Sequence, residues 1–149
     1  MKVYTDTSTI GGCFDVEFKE WSVALFEEFK SGIKLIMLSD LTLQELELAR
    51  QEVRRKILEI PANNQITIGI TDEAINLAET YIEKGALTNK SYNYALHIAL
   101  ATLNSADVLA SWNFKHIVNL SRIKLYNSIN LQLGYNLIEI RTPREILNL

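Results

Sequence analysis

The chain has 149 residues, of which 48% are hydrophobic and 22% charged, a composition that excludes a disordered or fibrous protein and predicts one globular domain over residues 1–149. Its single cysteine, Cys13, excludes an internal disulfide, and no apolar run is long enough for a signal peptide or a membrane span, so we expect a cytoplasmic protein. The net charge of −3 excludes long-range attraction to nucleic acid, so any RNA contact would rest on local patches.

The first half of the chain predicts strands that alternate with helices. A short β-prone segment precedes Asp6, and the glycine pair that follows is expected to break regular structure. Apolar residues at three- and four-residue steps then predict an amphipathic helix that ends at Gly32. A continuous apolar run suits a buried strand, and Ser39 or Asp40 can cap the next helix. The predicted elements are strand 2–5, helix 16–31, strand 33–38 and helix 41–58.

The second half continues this alternation. Thr71 and Asp72 form a capping signal ahead of a helix that Gly85 ends. A nearly uncharged stretch then predicts a buried helix, and a strand follows it. The predicted elements are a strand or extended connection 66–70, helices 73–84 and 91–104, strand 107–111, helix 120–132 and strand 137–140. Such alternation predicts a three-layer α/β/α fold with a mainly parallel central sheet.

Two carboxylates occur where this fold would place a ligand. Asp6 follows the first predicted strand, and open parallel sheets bind ligands outside the carboxyl ends of their strands. Glu45 has Leu41, Leu48 and Ala49 as helical neighbours, so its carboxylate leaves an apolar face, where it is costly unless paired or bound to a cation. The alternative interpretations are that Asp6 satisfies backbone amides in a turn, and that Glu45 bonds an amide or an arginine at the core margin.

Five stretches spread over nearly the whole chain share one recognisable pattern. They are Val-Tyr-Thr-Asp-Thr-Ser around Asp6, Ser-Asp-Leu-Thr-Leu-Gln-Glu-Leu-Glu around Glu45, Ala-Leu-His-Ile-Ala in the 91–104 helix, Ser-Trp-Asn-Phe after the 107–111 strand, and Ile-Arg-Thr-Pro-Arg-Glu-Ile near the end. Together they resemble a PIN domain, most closely the VapC-like ribonuclease toxins and their stand-alone relatives.

This resemblance implies metal-dependent hydrolysis of RNA, with one or two Mg²⁺ or Mn²⁺ ions held by three or four clustered acids. Such ions lower the pKa of a bound water and neutralise charge on the scissile phosphate, and Mg²⁺ prefers oxygen ligands. By the resemblance, Asp6 and Glu45 match the first two acids, and Asn113 occupies the position of the last. These three residues are therefore the predicted catalytic residues and metal ligands.

Two positions depart from the family pattern. Tyr94 replaces the third acid, and its protonated phenol adds bulk and a hydrogen bond rather than charge. Asn113 can offer a neutral amide oxygen to a metal or, alternatively, stabilise a turn. Asp107, the remaining carboxylate of this region, begins its strand roughly 13 Å from the strand's carboxyl end, so we expect a structural role. The sequence therefore predicts a depleted acidic site that binds Mg²⁺ or Mn²⁺ weakly.

Histidines and basic residues leave further alternatives open. His97 can act as a general base, but a packed, hydrogen-bonded core histidine is the favoured interpretation. We expect His116 to be an exposed loop residue. A basic run in the 41–58 helix can touch RNA phosphates or form a solvated face with an ion pair between Glu52 and Lys56; its members are Arg50, Arg54, Arg55 and Lys56.

The resulting prediction is a VapC-like PIN protein with weakened or lost endoribonuclease activity. The alternative is a catalytically silent module that holds RNA or a protein partner in the same cleft. The resemblance also implies an RNA substrate, a VapB-like antitoxin and a homodimer as partners, and we expect no contact with a membrane.

Overall fold

The computed structural model describes residues 1–149 and is organised around a five-stranded, entirely parallel sheet. Along the chain the strands are β1 Lys2–Thr5, β2 Leu35–Ser39, β3 Gln65–Ile68, β4 Val108–Ala110 and β5 Ile140–Arg141. Their order across the sheet is β3-β2-β1-β4-β5. Strand β1 is therefore central, and the chain builds the sheet outward from it in one direction before crossing to the other side.

Helices cover both faces of the sheet, which confirms the predicted three-layer α/β/α fold. The helices are α1 Thr7–Gly12, α2 Lys19–Ser31, α3 Asp40–Glu47, α4 Gln51–Lys56, α5 Asp72–Glu83, α6 Tyr92–Leu103, α7 Leu120–Gln132 and α8 Pro143–Ile146. Successive strand residues point to opposite faces. Tyr4 of β1 accordingly packs with the buried residues of α5, α6 and α7, whereas Val3 packs with those of α2, α4 and α8. None of these helices is long and apolar enough to cross a membrane.

Side-chain caps fix where several helices begin. In each case the capping oxygen accepts a hydrogen bond from the backbone N–H three residues later, which satisfies a donor that the helix leaves free. The caps are Asp6 for α1, Ser39 for α3, Thr71 for α5, Asn119 for α7 and Thr142 for α8. Ser39 is one of the two caps predicted for its helix. Gly32 ends α2 with a left-handed φ of 81°.

The clearest difference from the predicted elements lies just after β1. The glycine pair was expected to break regular structure, but α1 runs through it because Asp6 caps the helix. Gly12 is needed there for close packing, since a Cβ would lie 2.5 Å from Ser22 Oγ and 2.6 Å from Trp112 Nε1. A side chain at this position would separate α1 from α2.

Three further boundaries differ. The predicted helix 41–58 is divided into α3 and α4, so Leu48 does not extend the apolar face of Glu45 but is 91% exposed. Helix α2 begins at Lys19 rather than at residue 16, and β5 is limited to Ile140–Arg141. None of these changes moves the carboxyl ends of β1 and β4, which bound the cleft described next.

Candidate active-site cleft

A small cleft of about 230 Å³ lies at the carboxyl ends of β1 and β4, where the order of the strands reverses. Open parallel sheets commonly bind ligands at this switch point. The cleft is lined by Asp6, Thr7, Ser8, Glu45, Tyr94, His97 and Asn113. The structure thus brings together all three residues that the sequence proposed as ligands, and also Tyr94.

Asp6 is almost completely buried and is held by three hydrogen bonds. Its Oδ1 accepts from Ser8 Oγ at 2.7 Å and from the Thr9 backbone N–H at 3.0 Å. Its Oδ2 accepts from Ser111 Oγ at 2.6 Å. The turn interpretation is therefore correct for Oδ1, which caps α1. The carboxylate is also preorganised, because donors on both sides of the cleft fix its orientation.

Glu45 reaches the cleft from α3 and pairs with His97 of α6. Its Oε1 accepts from Thr7 Oγ1 at 2.9 Å and lies 2.6 Å from His97 Nε2. The favoured interpretation of His97 as a packed, hydrogen-bonded histidine is confirmed, since only 2% of it is exposed. The sequence did not identify Glu45 as its partner. The Oε2 atom of Glu45 has no hydrogen bond and is the carboxylate oxygen left for a ligand.

Behind this pair, hydrogen bonds continue into the core. Tyr4 hydroxyl lies 2.7 Å from His97 Nδ1 and 2.7 Å from Ser39 Oγ. Burial raises the pKa of Tyr4, so its phenol keeps its proton. When the imidazole is neutral, Ser39 donates to Tyr4, Tyr4 donates to Nδ1, and Nε2–H donates to Glu45, which satisfies each of these atoms. The pair therefore has a defined orientation.

The charge state of Glu45 follows from these contacts. Burial raises its pKa, but hydrogen bonds from His97 and Thr7, with the positive charge of His97 when protonated, outweigh this effect. The pKa of Glu45 consequently lies below its ordinary value. Glu45 is an anion at neutral pH even without a cation in the cleft.

The opposite wall of the cleft is neutral. Tyr94 stacks on His116, with ring centroids 5.2 Å apart and an interplanar angle of 19°. Asn113 Oδ1 accepts from the His116 backbone N–H at 2.9 Å, so its side chain does stabilise a turn. His116 lies in a turn between β4 and α7, as expected of a loop residue, but it is only partly exposed because Tyr94 stacks on its ring.

The cleft offers few ligands for a divalent cation. Asp6 and Glu45 supply hard carboxylate oxygens, of which Glu45 Oε2 is free. No cluster of three or more His, Cys, Asp or Glu side chains suitable for a metal exists in the protein. Mg²⁺ bound here would keep most of its waters, as it commonly does in proteins.

Other residues singled out from the sequence lie away from the cleft. Asp107 Oδ2 accepts from the Lys2 backbone N–H at 2.6 Å, which confirms its structural role. The basic run lies on α4 and lines no part of the cleft. The predicted pair of Glu52 with Lys56 does not form, because Glu52 pairs with Arg50 at 3.0 Å and Lys56 with Glu59 at 3.1 Å.

Matches to known proteins are found for the structure but not for the sequence. No protein-family model and no curated protein matches the sequence. Among solved structures, VapC20 of Mycobacterium tuberculosis, described as a sarcin-ricin loop cleaving toxin, matches with a TM-score of 0.59 and 12% identity, covering 76% of this chain and 92% of that one.

Two further solved structures match over more of the chain. VapBC2 of Rickettsia felis, solved with a DNA fragment from its promoter, has a TM-score of 0.59 and 16% identity. FitAcB of Neisseria gonorrhoeae has a TM-score of 0.59 and 12% identity. Each match covers 95% of this chain and 98% of the other. The resemblance seen in the sequence is confirmed at the level of structure: this chain has the PIN-like fold of VapC-type toxins.

Proposed function

We propose that this chain is a VapC-like PIN-domain protein, a single domain over residues 1–149, whose cleft has lost most or all of its ribonuclease activity. The observation that carries the proposal is the division of the cleft into a wall with two carboxylates, Asp6 and Glu45, and a wall with none. A cation held by two carboxylates has less charge opposite it than one held by three or four, so it binds more weakly.

Bound Mg²⁺ or Mn²⁺ would activate a water and offset phosphate charge, as such ions do in hydrolytic sites. The chain itself would orient the ligands. Ser8 and Ser111 hold Asp6, while Thr7 and His97 hold Glu45. Asn113 would contribute its neutral amide oxygen, which still has one free lone pair beside the bond to His116.

One cationic side chain stands next to this cleft and suits an RNA phosphate. Lys90 lines an adjoining hollow of about 300 Å³ together with Glu45, Tyr94 and three other residues, Ser91, Tyr92 and Asn93. It forms no ion pair within the protein. The cleft and this hollow form the surface on which we propose that RNA lies.

The test is to measure Mn²⁺ binding and RNA cleavage by the unmodified protein, with Asp6→Asn as the matched control. Asparagine retains an oxygen for the Thr9 N–H but removes the charge. We expect weak Mn²⁺ binding, lost in Asp6→Asn, and cleavage of single-stranded RNA close to the level without protein. Robust cleavage that EDTA abolishes and Asp6→Asn removes would show instead that Asp6, Glu45 and Asn113 suffice for catalysis.

A binding role without catalysis is the second candidate, favoured by the hydrogen bonds that already occupy Asp6, Glu45 and Asn113. It predicts RNA affinity that is the same with Mn²⁺ and with EDTA. The resemblance to VapC-type proteins further leads us to propose a small VapB-like antitoxin and a homodimer as partners. Light scattering of the purified protein, alone and coexpressed with the product of an adjacent small gene, measures both.

A further inference from the structure

An aromatic pocket adjoins the cleft and has no part in metal binding. It has a volume of about 410 Å³ and is lined by Glu17, Phe18, Trp21, Trp112, Phe114, Thr142, Arg144 and Glu145. This volume falls within the range of about 300–1,000 Å³ that is typical of pockets for small ligands. The pocket includes both tryptophans of the chain.

Its central ring, Trp112, is held rigidly. The indole Nε1–H donates to Ser22 Oγ at 2.9 Å, and the backbone N–H donates to Ser8 Oγ at 2.9 Å. Phe18 stacks against it with centroids 4.2 Å apart and an interplanar angle of 14°. Gly12 packs directly beneath the indole. The pocket is therefore preformed, and a planar ligand would lose little affinity to reordering.

The outer part of the pocket is open to solvent. Phe114 is 52% exposed, and its ring lies 6.2 Å from those of Phe18 and Trp112. An exposed aromatic ring beside a preformed hollow is a platform on which an unpaired base of single-stranded nucleic acid can stack.

Free positive charge lies beside these rings. The Arg144 guanidinium lies 5.0 Å from the centroid of Trp21, is exposed and forms no ion pair. Lys115, next to Phe114, is likewise exposed and unpaired. Of the two carboxylates at the pocket, Glu145 is already engaged by Arg141 and Thr142. Glu17 is exposed and can accept hydrogen bonds from a base amino group.

The pocket is also continuous with the cleft along the chain. Asn113, which lines the cleft, lies between Trp112 and Phe114, which line the pocket. Ser8 links the two as well, because it bonds both Asp6 and the Trp112 N–H. A strand of RNA bound in the cleft would therefore lie next to the residues that line the pocket.

Resting on the proposed RNA-binding role, we propose that this pocket binds one unstacked nucleobase of single-stranded RNA, with Arg144 and Lys115 on the flanking phosphates. Phe114 supplies the exposed stacking face, and the Phe18–Trp112 stack behind it fixes the shape of the pocket. The cleft then needs neither a metal nor a large basic surface to hold RNA in register, which suits a chain with a net charge of −3.

The test uses tryptophan fluorescence, since Trp21 and Trp112 both lie in the pocket. Oligoadenylate of six nucleotides, titrated in EDTA, should quench the fluorescence, whereas an abasic oligomer of the same length and charge should not. Phe114→Ala should weaken binding about 5- to 100-fold, the range found when a stacking ring is removed. Phe114→Tyr should retain it, and Arg144→Gln should reduce the salt dependence.

Phe14→Ala is the matched control, because Phe14 is exposed but does not line the pocket. Equal quenching by the abasic oligomer, or equal loss in Phe14→Ala and Phe114→Ala, would overturn the proposal. So would conversion of a dimer to a monomer by Phe114→Ala without any effect on RNA, which would identify a self-association surface. The fluorescence assay is done in EDTA and needs no metal. The proposed function is tested by Mn²⁺ binding in a separate experiment, so failure of one proposal can be distinguished from failure of the other.

Discussion

The two walls of the cleft differ in charge although both are formed by residues at the carboxyl ends of neighbouring strands and on the helices beside them. The first wall, formed by residues after β1 and on α3, carries Asp6 and Glu45, each fixed by hydrogen bonds. The second wall, formed by α6 and the segment after β4, carries Tyr94 and Asn113, which have no charge at neutral pH. We call these the acidic wall and the neutral wall.

The difference in charge between the walls shows that the packing of the fold does not depend on which side chains line the cleft. Strand β4 is fully buried, and helix α6 is buried from Ala95 to Thr102, so both pack as parts of the core. Tyr94 and Asn113 in turn have acquired structural contacts, a ring stack with His116 and a bond to its backbone. These contacts hold the neutral wall in place without any carboxylate.

The largest expected effect comes from restoring charge to the neutral wall. The double variant Tyr94→Asp with Asn113→Asp should tighten Mn²⁺ binding about 100-fold, or ~2.7 kcal/mol, because each new carboxylate attracts the cation directly. Cleavage of single-stranded RNA that EDTA abolishes should accompany it. Calorimetric titration with Mn²⁺ measures the affinity.

The control for this variant is Tyr94→Asn, which removes the same ring without adding charge. It should lose the stack with His116 and some stability but gain no affinity for Mn²⁺. If it gains as much as the double variant, the tyrosine excludes the cation by its bulk, and charge is not what separates the two walls.

A smaller effect concerns the contact across the walls, between Glu45 and His97. Glu45→Ala should lower the free energy of unfolding in EDTA by ~1–3 kcal/mol, because it leaves the nearly buried His97 Nε2 without its partner. Urea unfolding provides the measurement. Glu47→Ala, an exposed change on the same helix, should stay within about 0.5 kcal/mol of the unmodified protein. An unchanged or increased stability in Glu45→Ala would mean that repulsion between Asp6 and Glu45 costs at least as much free energy as the hydrogen bond to His97 contributes.

Local features of the structure could be predicted from the sequence better than long-range contacts. The alternation of strands and helices and the positions of Asp6 and Glu45 could be read from periodicity and capping signals, because these depend on neighbours in the chain. Helix α1 could not, since a glycine pair is a weak local signal that the Asp6 cap and the packing against Trp112 override.

The hydrogen-bond partners of Asp6 and Glu45 could not be predicted from local sequence patterns. His97 is 52 residues from Glu45, and Ser111 is 105 residues from Asp6. Only the parallel sheet, which brings the carboxyl ends of β1 and β4 together, places them in contact. One signal was available: Ser111 directly follows β4, the strand next to β1, where a hydroxyl can reach the carboxylate that follows β1.

A third prediction tests the turn role of Asn113 in the neutral wall. Asn113→Ala should cost ~1 kcal/mol, as the loss of a capping side chain does, because the His116 N–H loses its acceptor. Asn113→Asp should retain the stability, since its carboxylate can accept the same bond. Urea midpoints in EDTA measure both variants. An Asn113→Ala variant as stable as the original would show that the amide contributes nothing to the turn and leave a ligand role as its only function.

The smallest expected effect is a pH dependence of stability that arises from the acidic wall. The pKa of folded Glu45 lies below its ordinary value, while in the unfolded chain it should lie near ~4.3. The folded state therefore binds fewer protons than the unfolded state in this range. The contribution of Glu45 to the free energy of unfolding is therefore present above pH ~4.3 and is lost as the pH falls through the pKa of folded Glu45.

Glu45→Gln removes this contribution while keeping most of the side chain's shape. In EDTA, the difference in unfolding free energy between the unmodified protein and Glu45→Gln should be largest near neutral pH and shrink as the pH falls below the unfolded-state pKa of ~4.3. Glu59 and Glu145, whose pKa values are also lowered, are present in both proteins and cancel. Glu47→Gln should show no such trend. A difference that grows as the pH falls would mean that the pKa of Glu45 is raised, as expected if Asp6 repels it and His97 does not compensate.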